Sequence, residues 1–143
     1  MGKELLKILI SVIISSAVSY LLALRTFDRQ NFIEEKGRLD ELENKITDIN
    51  LQYPYLEDSS FIQRWNAGEI IKSDSSIRYL NYCNYIFNFA ESALEFYKYD
   101  TVESEKHYDL KALVKPHCGW WKLPPIEDST EDKSKKIIDS YCK

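Results

Sequence analysis

Residues 8–24 read ILISVIISSAVSYLLAL, a run of seventeen residues that contains no charged side chain. Extended by residues 5–7, the stretch is about 20 residues long, and a helix of that length spans the hydrocarbon core of a bilayer. A helix also satisfies its own backbone hydrogen bonds, which lipid cannot do. We therefore predict a transmembrane helix within residues 1–24.

The same stretch fits a second interpretation, a cleavable signal peptide. Lys3 and Lys7 would supply its charged region, and Ala17-Val18-Ser19 is a small-x-small cleavage site. Cleavage there would leave only about nine apolar residues before the site, and the apolar run continues beyond it to Leu24. We favour a retained span for these two reasons.

The basic residues on either side of the span predict its orientation. Two lysines precede it, and four basic residues follow closely, namely Arg25, Arg29, Lys36 and Arg38. Because cytoplasmic flanks are the more basic, this count places the C-terminal part in the cytoplasm. Cys83, Cys118 and Cys142 are odd in number and lack a framework spacing, as expected of reduced cytosolic thiols. We therefore expect a single-pass protein of the cell membrane with a cytoplasmic domain.

Small polar residues recur every four positions within the apolar run. Ser11, Ser15 and Ser19 share one face of the predicted helix. Three interpretations remain open: serines bonded back to their own carbonyls, packing between helices of a homo-oligomer, or a stripe that lines a pore. The last two predict self-association within the bilayer.

The next segment, residues 25–50, is predicted to be an amphipathic stalk helix. Its apolar side chains fit a heptad pattern at Phe32, Leu39, Leu42, Ile46 and Ile49. Two heptads are too few to distinguish a self-associating coiled coil from a helix that packs against its own domain. Both interpretations stay open for these five residues.

Residues 51–143 are predicted to form an all-α domain of about four or five helices. Ser73 begins the longest of them, which is apolar over most of its circumference and therefore central. A further helix is expected over residues 102–114, a loop over 117–125, and a last helix over about 133–141. Strand signals such as Asn-Gly hairpin turns do not occur.

Composition and spacing count against an enzyme. The chain has 143 residues, a net charge of −4 and only four glycines, none of which forms a phosphate-binding loop. His107, His117, Cys118 and Cys142 lack the paired spacing of a zinc site or of a Cys–His nucleophile. We expect no catalytic residues, no metal and no cofactor, and we assign His117 to a hydrogen-bonding role in a loop near the tryptophans.

One candidate surface for a ligand or partner lies near the C-terminus. It combines two aromatic residues with a short basic cluster: Trp120, Trp121, Lys133, Lys135 and Lys136. Such a combination can bind an oligonucleotide or a small nucleotide-type signal, although the C-terminal region as a whole is not basic enough to favour nucleic acid. The alternatives are that the tryptophans belong to the core and that the lysines lie on a solvated helix.

The aromatic pattern of the central helix resembles that of a family of small bacterial membrane proteins. Tyr79-Leu80-Asn81-Tyr82 and the segment IFNFAE at residues 86–91, followed by an acidic helix start at 101–105 and by Trp120-Trp121, are similar to DUF4760-like proteins. The resemblance covers residues 77–121. It implies one N-terminal membrane helix and a helical cytoplasmic domain, and it brings no catalytic residues.

This organisation leads to two hypotheses about function. The first is a small oligomeric effector of bacterial antiviral defence that forms a pore or perturbs the membrane under the control of its cytoplasmic domain. The second is a membrane-tethered adaptor that anchors a soluble partner protein. Both require the lipid bilayer as a partner, and only the first requires a homo-oligomer.

Overall fold

The computed structural model describes residues 2–69, 73–123 and 132–143, and for residues 2–10 and 132 it describes the backbone alone. Within these ranges every regular element is helical and no strand occurs, which confirms the all-α class. The helices are α1 (Gly2–Gln52), α2 (Ser59–Asn66), α3 (Asp74–Phe96), α4 (Thr101–Tyr108), α5 (Leu110–Val114), α6 (Cys118–Trp121) and α7 (Asp132–Tyr141). Two short 3-10 turns, Pro54–Glu57 and Lys115–His117, lie between them.

The chain divides into two units, Met1–Gly37 and Arg38–Lys143. The boundary falls inside α1, so the predicted span and the predicted stalk are parts of a single helix. The helix ends at Gln52, just before Pro54, because proline disfavours helical backbone in the residue that precedes it.

The first unit is a helix without a core of its own. All of residues 11–35 are exposed, including the large apolar side chains between Val12 and Leu24. The helix is long and apolar enough to cross a membrane. Apolar side chains on a lone helix are unfavourable in water, so lipid or another protein must cover this surface.

The second unit is built around α3. Ser73 caps α3 by accepting a hydrogen bond from the Ser76 backbone amide, as its sequence signal predicts. Ten side chains of α3 are buried, and they form the centre of a core that the other helices cover. Ile77 and Leu80, which the apolar pattern also assigned to the core, are exposed instead.

Local residues set both ends of α2. The Asp58 carboxylate accepts a hydrogen bond from the Phe61 backbone amide at 3.0 Å and so caps the helix. Gly68 follows the helix with a φ of 78°, a conformation that glycine adopts without a steric penalty.

Two predictions for the region after α3 are wrong in detail. The helix expected over residues 102–114 is broken at Asp109, which has a φ of 43° and separates α4 from α5. Aspartate tolerates this left-handed conformation, and the Glu105 carboxylate accepts the freed Lys111 amide at 3.1 Å. The loop expected over 117–125 contains α6, whose tryptophans bury their rings, and its last two residues lie outside the described part of the chain.

Candidate functional site

A buried histidine in the second unit belongs to a hydrogen-bonded cluster of four side chains. The His117 side chain is fully buried, and its Nε2 lies 3.1 Å from Glu57 Oε1. Its Nδ1 lies 2.9 Å from the Tyr79 hydroxyl. The Tyr82 hydroxyl donates to the same Glu57 oxygen at 2.5 Å. This cluster joins the Pro54–Glu57 turn, α3 and the Lys115–His117 turn.

The direction of each hydrogen bond follows from the chemistry of the groups. A carboxylate only accepts, so His117 Nε2 carries the hydrogen that it donates to Glu57. Nδ1 accepts from the Tyr79 hydroxyl when the ring is neutral and donates to that oxygen when the ring is protonated. Every polar atom of the imidazole is therefore satisfied inside the core.

Burial and hydrogen bonding shift the pKa of Glu57 in opposite directions. Burial would raise the pKa of Glu57, but hydrogen bonds from His117 and Tyr82, together with attraction to His117, lower it below its ordinary value of 4.5. Burial raises the pKa of Tyr79 and of Tyr82 far above the usual range. Burial likewise raises the pKa of the adjacent Cys83 thiol, and both tyrosines and the thiol stay neutral.

A carboxylate, an imidazole and a hydroxyl that are hydrogen-bonded in this order can activate the hydroxyl as a nucleophile. Here the terminal hydroxyl belongs to Tyr79, which is fully buried and flanked by the rings of Phe61 and Trp65. A substrate has no access to that oxygen, and Glu57 alone is partly exposed. The cluster therefore acts as a structural connection between three segments of the domain.

Sequence reasoning identified only part of this cluster. His117 was predicted to form hydrogen bonds, and it does, but the rings around it are those of Tyr79 and Tyr82. Glu57 was not among the candidate site residues. The four residues are spread over sixty positions, and no local spacing signals their meeting.

The candidate surface near the C-terminus does not exist as predicted. Trp120 and Trp121 are buried, and both rings stack on Phe87 with centroids 5.0 Å away. Trp121 Nε1 also donates to Asp139 on α7 at 2.7 Å. Neither ring can receive a base, because both are enclosed by the protein core. The lysines, Lys133, Lys135 and Lys136, lie on α7 apart from any exposed tryptophan, and the Lys133 ammonium lies over the Tyr99 ring.

Four of the five predicted stalk contacts belong to the core of the second unit. Leu39 and Ile46 are buried, and Leu42 and Ile49 pack against the same cluster. Of the two open interpretations, the structure therefore favours packing against the chain's own domain at these positions. Phe32 is different, because 57% of its surface is exposed.

The serine positions agree with the predicted helix but not with any single role. Ser11, Ser15 and Ser19 are exposed on α1 at four-residue spacing. Their part in helix association or in lining a pore stays a prediction.

The cysteines depart from the expectation of three reduced thiols. Cys118 and Cys142 form a disulfide with their Cα atoms 5.5 Å apart, and Cys83 is a buried free thiol. The pairing joins α6 to the residue after α7. Sequence separation alone gave no sign of it, because the two residues meet only through the packing of these helices.

An open groove crosses the surface between α4, α5 and the end of α7. Its volume is about 610 Å³. Its lining combines apolar and charged side chains: Thr101, Val102, Glu105, Asp109, Lys111, Ala112, Lys115 and Tyr141. Val102 is 74% exposed there.

No three metal-ligating side chains are grouped together in the part of the chain that the structure describes. The two histidines and two cysteines considered for zinc all make other interactions. His117 is bonded to Glu57 and Tyr79, and Cys118 and Cys142 are bonded to each other. His107 stacks on the Tyr97 ring.

The fold thus defines a class, an all-α protein with one helix suited to a membrane span and a small helical domain. No protein-family model matches the chain, and neither a curated protein nor a solved structure is significantly similar to it. The resemblance over residues 77–121 therefore stays a prediction, as does every function that it implies.

Proposed function

We propose that this chain is a single-span membrane protein that tethers its helical domain, and a protein bound to that domain, at the membrane surface. The observation that carries the proposal is the exposure of residues 11–35 on α1. Burying that apolar surface in lipid is worth roughly 25 cal/mol for each Å² removed from water. The helical domain supplies its own core, so the span is free to serve as an anchor.

The groove between α4, α5 and α7 is the partner surface that fits this proposal. Val102 and Ala112 give it apolar contact area, and Lys111, Lys115 and Glu105 add charged groups to its lining. Protein interfaces combine apolar contact area with polar and charged groups. The partner we propose is therefore a protein that inserts an apolar side chain beside Val102.

Membrane integration is the first part of the test. Ile14→Arg combined with Val18→Arg places two charges in the span, each of which costs about 3 kcal/mol near the centre of a membrane helix. We expect alkaline carbonate to release this variant from membranes while it leaves the wild-type chain in the pellet. Leu51→Arg is the matched control, since Leu51 is exposed at the other end of α1 and should not affect extraction.

The partner is the second part of the test. A photo-crosslinking residue at position 102 should form an adduct in cells, whereas one at Ile77, which is also exposed but lies outside the groove, should not. When the span is replaced by an unrelated span of equal length, the adduct should stay in the membrane fraction. When the span is deleted, the adduct should become soluble. An adduct that depends on the original span sequence would contradict the tether.

A second candidate function is a pore, favoured by the serine face of α1. If copies of the chain associate through Ser11, Ser15 and Ser19, their hydroxyls can line a polar path. Liposomes that contain the full-length chain should then leak ions, and the triple serine-to-leucine variant should not. The role in bacterial antiviral defence rests on the sequence resemblance and depends on this result.

The side of the membrane on which the domain lies belongs to the same proposal. The basic residues that flank the span favour the cytoplasm, as the sequence predicts. The Cys118–Cys142 bond favours the opposite side. The two arguments rest on different residues and can be separated by experiment.

A further inference from the structure

The disulfide joins two residues that are both partly exposed. Cys118 begins α6 and Cys142 follows α7, and both side chains are only partly buried. Their Cα separation of 5.5 Å is in the usual range for a bonded pair. The bond therefore requires no movement of the backbone, and its survival depends on the redox poise around the domain.

The third cysteine has the opposite environment. Cys83 is fully buried on α3, and burial raises the pKa of its thiol, so it is an inert side chain of the core. The folded domain therefore presents no accessible free thiol. This distribution suits an oxidising compartment, where an exposed unpaired thiol would form bonds between molecules.

The bond also ties α7 to α6. Cys142 directly follows α7, and its partner Cys118 begins α6. Tyr141 and Ile138 are buried just before Cys142, so the end of α7 belongs to the packed core. In a cytosol kept reducing by glutathione and thioredoxin, an accessible bond at this position would be lost.

The order of features around the span is compatible with export of the domain. Lys3 and Lys7 precede the apolar run, which is the arrangement that directs downstream residues across a membrane. The count of basic residues, four after the span against two before it, opposes this placement. The disulfide is a property of the folded domain itself and favours export.

We propose that the helical domain lies on the oxidising, extracytoplasmic side of the membrane, closed by the Cys118–Cys142 disulfide, and that its partner is an extracytoplasmic protein. The inference rests on the proposed single span. The two thiols lose two protons and two electrons as the sulfur–sulfur bond forms. A thiol–disulfide oxidoreductase of that compartment supplies its own disulfide as the oxidant and is reduced to a dithiol.

The first experiment counts free thiols in cells that express the full-length chain. Cells are quenched in acid, and the denatured protein is treated with a maleimide that carries polyethylene glycol. We expect one tag per chain, on Cys83, and three tags when the sample is first reduced. A Cys83→Ala variant should take none before reduction and two after it.

The second experiment locates the domain directly. A membrane-impermeant amine reagent should modify the exposed residues Lys106 and Lys122, which lie outside the groove, in intact spheroplasts as fully as in lysed ones. Three tags without reduction, or modification of these lysines only after lysis, would each overturn the proposal. Carbonate extraction of the same sample tests the span separately, because a chain without a span is released whatever its thiols show.

Discussion

The two ends of α1 contain similar apolar side chains in very different surroundings. Around Leu21 the helix is exposed on every side, whereas around Leu39 and Ile46 it is covered by the domain. The backbone is the same continuous helix in both regions. The difference lies in the material that removes apolar surface from water: the second unit uses its own side chains, and the first requires lipid or another chain.

This difference shows that the spacing of apolar residues along a helix does not by itself identify what covers the apolar face. The heptad spacing of the stalk fits a coiled coil and a domain helix equally, because both place apolar residues three and four positions apart. Only the position of α3 and its neighbours shows which one occurs from Leu39 to Ile49.

The strongest test of the difference between the two units replaces one leucine by alanine in each of them. Leu94→Ala removes a fully buried side chain of the core and should lower the free energy of unfolding by about 2–5 kcal/mol. Leu21→Ala removes a side chain that is 59% exposed and should leave the domain unchanged. Urea unfolding in detergent, followed by tryptophan fluorescence, measures this directly, since all three tryptophans lie in the second unit. Equal losses would contradict the division into two units.

The disulfide should contribute a somewhat smaller amount to the second unit alone. Cys118 and Cys142 are 24 positions apart, and closing a loop of that length removes roughly 3 kcal/mol of unfolded-chain entropy. We expect Cys142→Ser to lower the unfolding midpoint, and dithiothreitol to lower that of the wild type to the same value. The Cys118→Ser/Cys142→Ser variant is the control, because dithiothreitol should not change its midpoint further.

A smaller loss is expected at the contact between α6 and α2. A Cβ on Gly119 would lie 2.0 Å from the Asn66 Oδ1 atom, so Gly119→Ala forces the exposed Asn66 side chain to move. The expected cost is about 1 kcal/mol, at the low end for overpacking. Asn66→Ala alone should be nearly neutral and should restore the stability of Gly119→Ala. If the stability losses of the two single variants simply added in the double variant, the clash would not be with the Asn66 side chain.

The smallest expected effect is the pH dependence of the buried polar cluster. The pKa of Glu57 is lowered in the folded state, so its contribution is present above pH 4.5 and is lost as the pH falls through the folded value. Glu57→Gln should be less stable than wild type by about 1 kcal/mol at pH 7, since it weakens bonds to a charged acceptor. The difference should shrink toward pH 3.

Tyr82→Phe sharpens the same measurement. It removes one of the two hydrogen bonds to Glu57 Oε1 and keeps the buried ring. Its destabilisation should also fade as the pH falls, because a protonated carboxyl group accepts that bond less strongly. If the loss of stability relative to wild type stayed constant from pH 7 to pH 3 in both variants, Glu57 would not be the group whose titration changes the stability.

The sequence by itself determined the features that depend on neighbouring residues. The apolar run at 8–24, the caps at Asp58 and Ser73, the end of α1 before Pro54 and the central position of α3 all follow from local composition and spacing. These signals act within a few residues, because capping and helix periodicity are properties of one or two turns.

Only the tertiary structure decided which distant residues meet. The bonds between His117 and Glu57, the stacking of Trp120 and Trp121 on Phe87, and the pairing of Cys118 with Cys142 join segments far apart in the chain. No local spacing encodes them, because they arise when several helices bury their apolar faces against one another at once. For the same reason the tryptophans that looked like a binding surface in the sequence became part of the core.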